Sequence, residues 1–208
     1  MYDAFLKAFS CRKLLEPEGR NFRIPALTDN AYYRLIDEFG GCSFENGFYR
    51  VMNGTLVQKW NGYVGDAFPA ERGRFLCFGF DWLGLIYALD VTRKAGDEYK
   101  MEVFDIGGGD IIKPPVTIER FHNKVLPDRN GEIASRSLFD AWLAQGNPAP
   151  RYSECIGYKR PLFLGGGSSI NDMELIDMEV YWSLVGQMLV QIRGLPSGSV
   201  VKLQKPES

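Results

Sequence analysis

The sequence predicts an α+β fold: a mainly antiparallel sheet packed by helices, with a helical addition at the N-terminus. Two observations carry this. The patterns fall in blocks, with helical periodicity first, strand patterns between residues 73 and 106, and helical periodicity again, whereas an α/β chain would alternate. The 208 residues are 45% hydrophobic and 13% aromatic, enough for a substantial core and against disorder. A division into 1–72, a helical and strand region packed onto the rest, and 73–208, the main domain, follows from the same blocks.

Phe5, Leu6, Phe9 and Leu14 have the spacing of an amphipathic helix over 2–15, stopped by Glu16-Pro-Glu-Gly19. A second helix starts at Thr28-Asp-Asn30, good N-cap residues, buries Tyr32, Leu35, Ile36 and Phe39, and ends at Gly40-Gly41. Phe48 to Met52 reads as a strand and Asn53-Gly54 as a turn. Residues Gly73 to Asp90 form two strand patterns joined by Asp81-Trp-Leu-Gly84, a hairpin connection. Tyr99 to Ile106 makes a third strand, broken at Gly107-Gly-Gly-Asp110, and Pro114-Pro115 separates this region from the helical patterns after it. Thr117 is placed to cap a helix burying Ile118, Phe121 and Val125. Ser135 or Ser137 caps another, with Leu138, Phe139, Trp142 and Leu143 inward. Asn147-Pro-Ala-Pro150 is a stiff loop, and Leu162–Leu164 reads as a short strand. The clearest helix runs from Asp177 to Arg193. Asp177 and Glu179 stand at its N-terminus, where negative charge is favoured, and Gly194 and Pro196 lie just beyond its end. Tyr181, Val185, Met188, Leu189 and Ile192 share one face.

Twenty-four basic and 26 acidic side chains give a net charge of −2, which supplies no bulk attraction to phosphate backbones and disfavours direct nucleic-acid binding. Cys11, Cys42, Cys77 and Cys155 are widely spaced without a C-x-x-C pair, as expected of reduced thiols. The N-terminus has no basic segment followed by a long apolar run, and no window matches a membrane span. The expected location is cytoplasmic.

Candidate chemistry is thin. His122, the sole histidine, lacks the neighbours of a zinc site or a positioned base and reads as a surface or boundary residue. Gly107-Gly-Gly109 and Gly165-Gly-Gly167 are not followed by Lys-Ser/Thr, so strand-end turns account for them as well as phosphate binding does. Asp81 and Asp90 bracket the hairpin as a conceivable metal or acid–base pair. Asp172, Glu174, Asp177 and Glu179 crowd the last loop and helix start, and an acidic docking face there would suit a basic protein partner. Trp82, in a tight connection, is the aromatic best placed to anchor such a partner. The candidate partner-binding residues are therefore Trp82, Asp172 and Glu174, with no catalytic, cofactor or metal residues assigned.

Three phrases carry a family resemblance: Asp81-Trp-Leu-Gly84 with Tyr87-Ala-Leu-Asp90, Pro161-Leu-Phe-Leu-Gly-Gly166, and Leu175 through Gln187. Over roughly 75–193 the chain resembles the C-terminal domain of type VI secretion immunity proteins that neutralise DNase effectors, within the SUKH superfamily. Pro25 to Gly54 is similar to the N-terminal region often joined to that domain. The resemblance implies a SUKH-like curved sheet, no cofactor, no catalysis, and inhibition of a cognate toxin, a secreted nuclease, by direct binding. It carries over no contact residues, because the shared phrases are mostly apolar or turn-forming. The rival readings are a regulatory scaffold of the same fold with another partner, and a small enzyme or ligand binder using the glycine turns and Asp81/Asp90.

Overall fold

The structure is a computed structural model and describes residues 1–15, 23–24, 27–128 and 134–195. Among these, seven strands form one sheet in chain order: β1 (Cys11–Lys13), β2 (Cys42–Phe44), β3 (Tyr49–Val51), β4 (Phe75–Asp81), β5 (Ile86–Ala95), β6 (Glu98–Asp105) and β7 (Asp110–Ile112). Every neighbouring pair is antiparallel. Register shifts between Cys77 and Gly79 and between Asp90 and Lys94 are bulges of the kind that bend and twist a sheet. Gly79 is required at the first, since a Cβ there would lie 2.6 Å from the Tyr49 hydroxyl. Strand β3 pairs directly with β4, so the two sequence regions share one sheet and one core.

Alternation along β3 separates the two faces. Tyr49 joins a ring cluster with Tyr87, Phe121 and His122. This face is covered by α1 (Asp3–Ala8), by α2 (Asn30–Phe39), whose Tyr32 hydroxyl donates to the Cys77 carbonyl, and by α4 (Ile118–Arg120), which runs on as a π-helical stretch, Phe121–Val125. Arg50 points the other way, over the Phe80 ring. There α3 (Gly54–Ala67) and α6 (Met178–Ile192) pack Trp60 against Phe80 and Trp182, with Phe68 against Phe104. A second sheet, β8 (Glu154–Tyr158) with β9 (Met173–Asp177), joins the end of β4 through the Ile156 N–H to the Trp82 carbonyl at 2.7 Å. Helix α5 (Arg136–Ala144) sets Phe139 against Phe48 and Trp82.

Several expectations are corrected. The first helix ends at Ala8, not near residue 15, because β1 pairs with β2 and the Leu14 and Leu15 N–H groups donate to the Gly41 carbonyl. Leu6 and Leu14 are consequently exposed. The expected stop at residues 16–19, and Pro25 and Pro196, lie outside the described residues. Asn53-Gly54 is not a turn: the Asn53 side chain accepts from the Leu56 N–H and caps α3. Leu162–Leu164 forms a 3-10 turn closed by left-handed Gly165 rather than a strand. Asp29 caps α2 and Asp177 caps α6, as their sequences predict. On α6, Met188 and Ile192 are only half-buried, while Trp182 belongs to the core.

Candidate functional site

The groups that invited a catalytic reading are buried and engaged. Asp81 sits where β4 turns into β5. Its carboxylate accepts from the Leu83 and Leu85 N–H groups, both at 3.0 Å, and from the Tyr87 hydroxyl at 2.9 Å. Burial pushes its pKa up to about 7, against the pull of these donors and of Arg50. Asp90 takes bonds from Thr92 and Arg93 at the β5 bulge. Asp81 and Asp90 stand at opposite ends of the hairpin, since Asp90 pairs with Phe75 and Asp81 with Tyr49, so the structure does not bring them together.

His122 is fully buried, not a surface or boundary residue. Its Nδ1–H donates to the Ile118 carbonyl at 2.7 Å, which leaves Nε2 to accept from the Tyr49 hydroxyl at 2.9 Å. Burial lowers its pKa to about 4, so the ring is neutral at physiological pH. Sequence reasoning missed this because the elements surrounding it, α1 and β3, lie far away in the chain.

Both glycine triads are turns. Gly108 N–H donates to the Asp105 carboxylate and Gly109 N–H to the Asp105 carbonyl, closing the β6–β7 hairpin. A Cβ on Gly166 would lie 1.9 Å from the Arg160 carbonyl oxygen. Ser169, just past the second triad, gives its N–H and hydroxyl to Asp172 in a capping box. A further charged group, unseen in the sequence, gathers Glu71, Asp90 and Glu102 around Lys113, whose Nζ lies 3.1 Å from Glu102. Among the described residues no group of three or more His, Cys, Asp or Glu could hold a metal ion.

Of the residues proposed for partner binding, Trp82 is buried: its indole N–H donates to the Ala134 carbonyl at 2.7 Å and its ring packs on Phe139. It therefore offers no surface to a partner. A short connection predicts exposure only if nothing packs over it, and α5 does. Asp172 is half-exposed and its carboxylate is committed to the capping box. Glu174 is exposed on β9, and its carboxylate makes no hydrogen bond or ion pair among the described residues. Sequence reasoning also missed Arg50. This fully buried guanidinium donates to the carbonyls of Asp81, Arg151 and Glu154, tying β3 and β4 to the segment that enters β8.

What remains is an α+β scaffold whose polar interior holds its own chain together and whose candidate functional groups are on the surface. Residues 123–189 match the family model described as T6SS immunity protein Tdi1, C-terminal. This segment runs from the π-helical stretch through most of α6, and it lies inside the region on which the sequence resembles type VI secretion immunity proteins. The crystal structure of Atu4351 from Agrobacterium tumefaciens is similar in fold, with a TM-score of 0.64 at 17% identity over 90% of this chain and 89% of that one. No curated protein matches the chain. No helix among the described residues is long and apolar enough to cross a membrane.

Proposed function

We propose that this chain is an immunity protein that binds and neutralises a cognate type VI secretion toxin, a nuclease, without catalysis of its own. The observation that carries the reading is the match of residues 123–189 to the T6SS immunity protein Tdi1 C-terminal domain. The buried, hydrogen-bonded state of Asp81 and His122 supports a non-catalytic role. The sequence phrases resembling DNase-immunity proteins support a nuclease as the target. A nuclease meets its substrate in the cytoplasm, so neutralisation takes place there. Binding blocks the toxin by covering its active site or the path of its substrate.

The test is co-expression with the toxin encoded beside this chain's gene. Rescue of growth and a purified complex are expected, and the chain alone should hydrolyse neither DNA nor nucleotides. Neither rescue nor a complex, or turnover that persists on repurification and is lost with Asp81→Asn, refutes the reading.

A further inference from the structure

Strand β1 has a neighbour on one side only. It stands at the end of the sheet order, pairs with β2 alone, and exposes all its residues. The ladder fixes which of its backbone groups stay free. The Glu45 N–H donates to the Ser10 carbonyl and the Leu14 N–H to the Gly41 carbonyl, so the bonded positions alternate through Ser10, Arg12 and Leu14. Cys11 and Lys13 therefore turn both N–H and C=O away from β2, and no group among the described residues takes them. The opposite edge of the sheet is blunted, because Pro114-Pro115 just past β7 carry no N–H.

The free side chains along this edge are basic. Arg12 shares a row, and so a face, with Ser43 and Arg50. On that face a groove of about 520 Å³ is lined by Arg12, Ser43 and Arg151 with the apolar Leu14, Leu143 and Pro150. Lys13 stands on the other face of the strand. Arg12, Lys13 and Arg151 are exposed, and none of their side chains makes a hydrogen bond or ion pair among the described residues. The acids nearby are engaged. Glu45 accepts from the Ser10 N–H and hydroxyl and lies 3.9 Å from Arg136, and Glu154 accepts from the Arg151 backbone N–H.

We propose that the free edge of β1 is where the toxin docks: an extended acidic segment of the toxin pairs with Cys11 and Lys13 as an added strand and sets carboxylates against Arg12, Lys13 and Arg151. The proposal rests on the immunity reading and deepens it by naming a surface and the chemistry of what meets it. The edge offers donors and acceptors together, which a polypeptide matches with its own backbone. A nucleic-acid backbone brings phosphate acceptors without donors. Unpaired guanidinium groups in turn suit carboxylates, which accept paired hydrogen bonds from them. A second copy of this chain, joined edge to edge, would set Arg12 and Lys13 against their own counterparts.

The test uses the toxin encoded beside this chain's gene, disarmed at its active site, together with the full chain. Hydrogen exchange should find the Cys11 and Lys13 amides exchanging freely in the chain alone and protected in the complex. Arg12→Glu, Lys13→Glu and Arg151→Glu change exposed side chains, so their melting temperatures should match the parent. Each should weaken binding roughly 10-fold or more, with a shallower salt dependence. Arg160→Glu, an exposed base beyond the other end of β8, should bind like the parent. A complex in which both amides stay unprotected overturns the added strand, and folded variants that all bind like the parent overturn this surface. Either result leaves the immunity reading intact. Binding of a DNA oligonucleotide that Arg12→Glu abolishes, or a dimer of the chain that protects the same amides, also overturns the proposal, since the edge would then have another occupant. Failure of the parent chain itself to bind or rescue defeats the immunity reading and this proposal with it.

Discussion

Replacing Arg50 with methionine removes the guanidinium while keeping a long side chain over Phe80. In the native protein Nη1 donates to the Arg151 carbonyl at 2.8 Å and to the Glu154 carbonyl, and Nη2 donates to the Asp81 carbonyl. All lie where water does not reach Arg50, which is 0% exposed. The Arg151 and Asp81 carbonyls each keep a backbone donor, the Glu154 and Gly84 N–H groups, so the loss is chiefly that of the three charge-assisted bonds, about 1.5–3 kcal/mol each and roughly 4–9 kcal/mol gross. Two effects offset it. A buried cation whose Nε has no partner is no longer desolvated, and the thioether regains apolar contact. The net expectation is a loss of about 3–5 kcal/mol, the range found when one member of a buried charged arrangement is removed. Urea unfolding at neutral pH, where burial has lowered the Arg50 pKa only to about 10 and the side chain is charged, gives the total. Native-state hydrogen exchange gives the location: protection should fall first in β8, which Arg50 ties to β3 and β4. Arg50→Lys should recover only part of the loss, since one ammonium cannot reproduce a planar fork reaching several carbonyls. A loss below about 1 kcal/mol, or undiminished protection at β8, would refute this account.

His122 should remain neutral from pH 8 down to about 5, with Nδ1 protonated, as nitrogen chemical shifts report. Its pKa is depressed from 6.5 to about 4, so the unfolded chain binds the extra proton between those values. Stability is therefore lost as pH falls from about 6.5 to 4, by about 3 kcal/mol at most. Asp81 and Glu102, raised from 3.8 and 4.5 to about 7 by burial, act with the opposite sign, and their contribution fades as pH rises toward 7. The His122 part is accordingly read from the difference between the parent and His122→Gln, and an identical pH slope in both would refute it. Leu189→Ala, at a buried position beside Gly109, should cost roughly 2–5 kcal/mol, and Met188→Ala, half-buried, clearly less; equal effects would mean that the core face of α6 is drawn wrongly. Thiol labelling of the native protein should modify exposed Cys11 first, with buried Cys42, Cys77 and Cys155 reacting only in denaturant. Fewer than four thiols in denaturant without reductant would contradict the free cysteines.

The parts of the fold legible in the sequence are those whose determinants are local. Asp29 and Asp177 cap their helices through side-chain bonds to N–H groups two or three residues on, and the β4–β5 hairpin closes over a few residues. The parts that sequence reasoning misses depend on distant partners. Residues 11–13 have a spacing compatible with helix, yet they lie extended because β2, some thirty positions on, offers an edge. Helix α3 is legible in principle: Val57, Trp60, Val64 and Ala67 recur at helical spacing behind an Asn cap. The Asn-Gly pair favours a hairpin only when strands flank it on both sides, and here a strand precedes it and a helix comes after. Strands β8 and β9 are hard to see because Glu154–Tyr158 has little alternation. Gly157 is there to make room for Tyr181 from α6, a reason that a local pattern cannot contain.

The same distinction explains how much of the functional surface is legible. Trp82 stands out by residue type in a short connection, but a side chain's exposure is decided by what packs over it, and α5 arrives from fifty residues downstream. Asp172 stands out by charge, but its carboxylate is needed by its own turn; reversing it would damage the loop and confuse folding with binding. Glu174 keeps its candidacy because nothing in the described chain engages it. The apolar composition of α6, in contrast, is visible in the sequence but reads wholly as core, since composition does not say which apolar side chains the fold leaves in solvent. In the structure Tyr181, Trp182, Val185 and Leu189 close the core against α3 and the sheet, while Val180, Leu184 and Val190 lie exposed among Ser183, Gln187 and Gln191. An exposed side chain such as Leu184 contributes little burial, so Leu184→Arg should melt like the parent, whereas a substitution at Trp82 or Asp172 would disturb the packing or the turn that each serves.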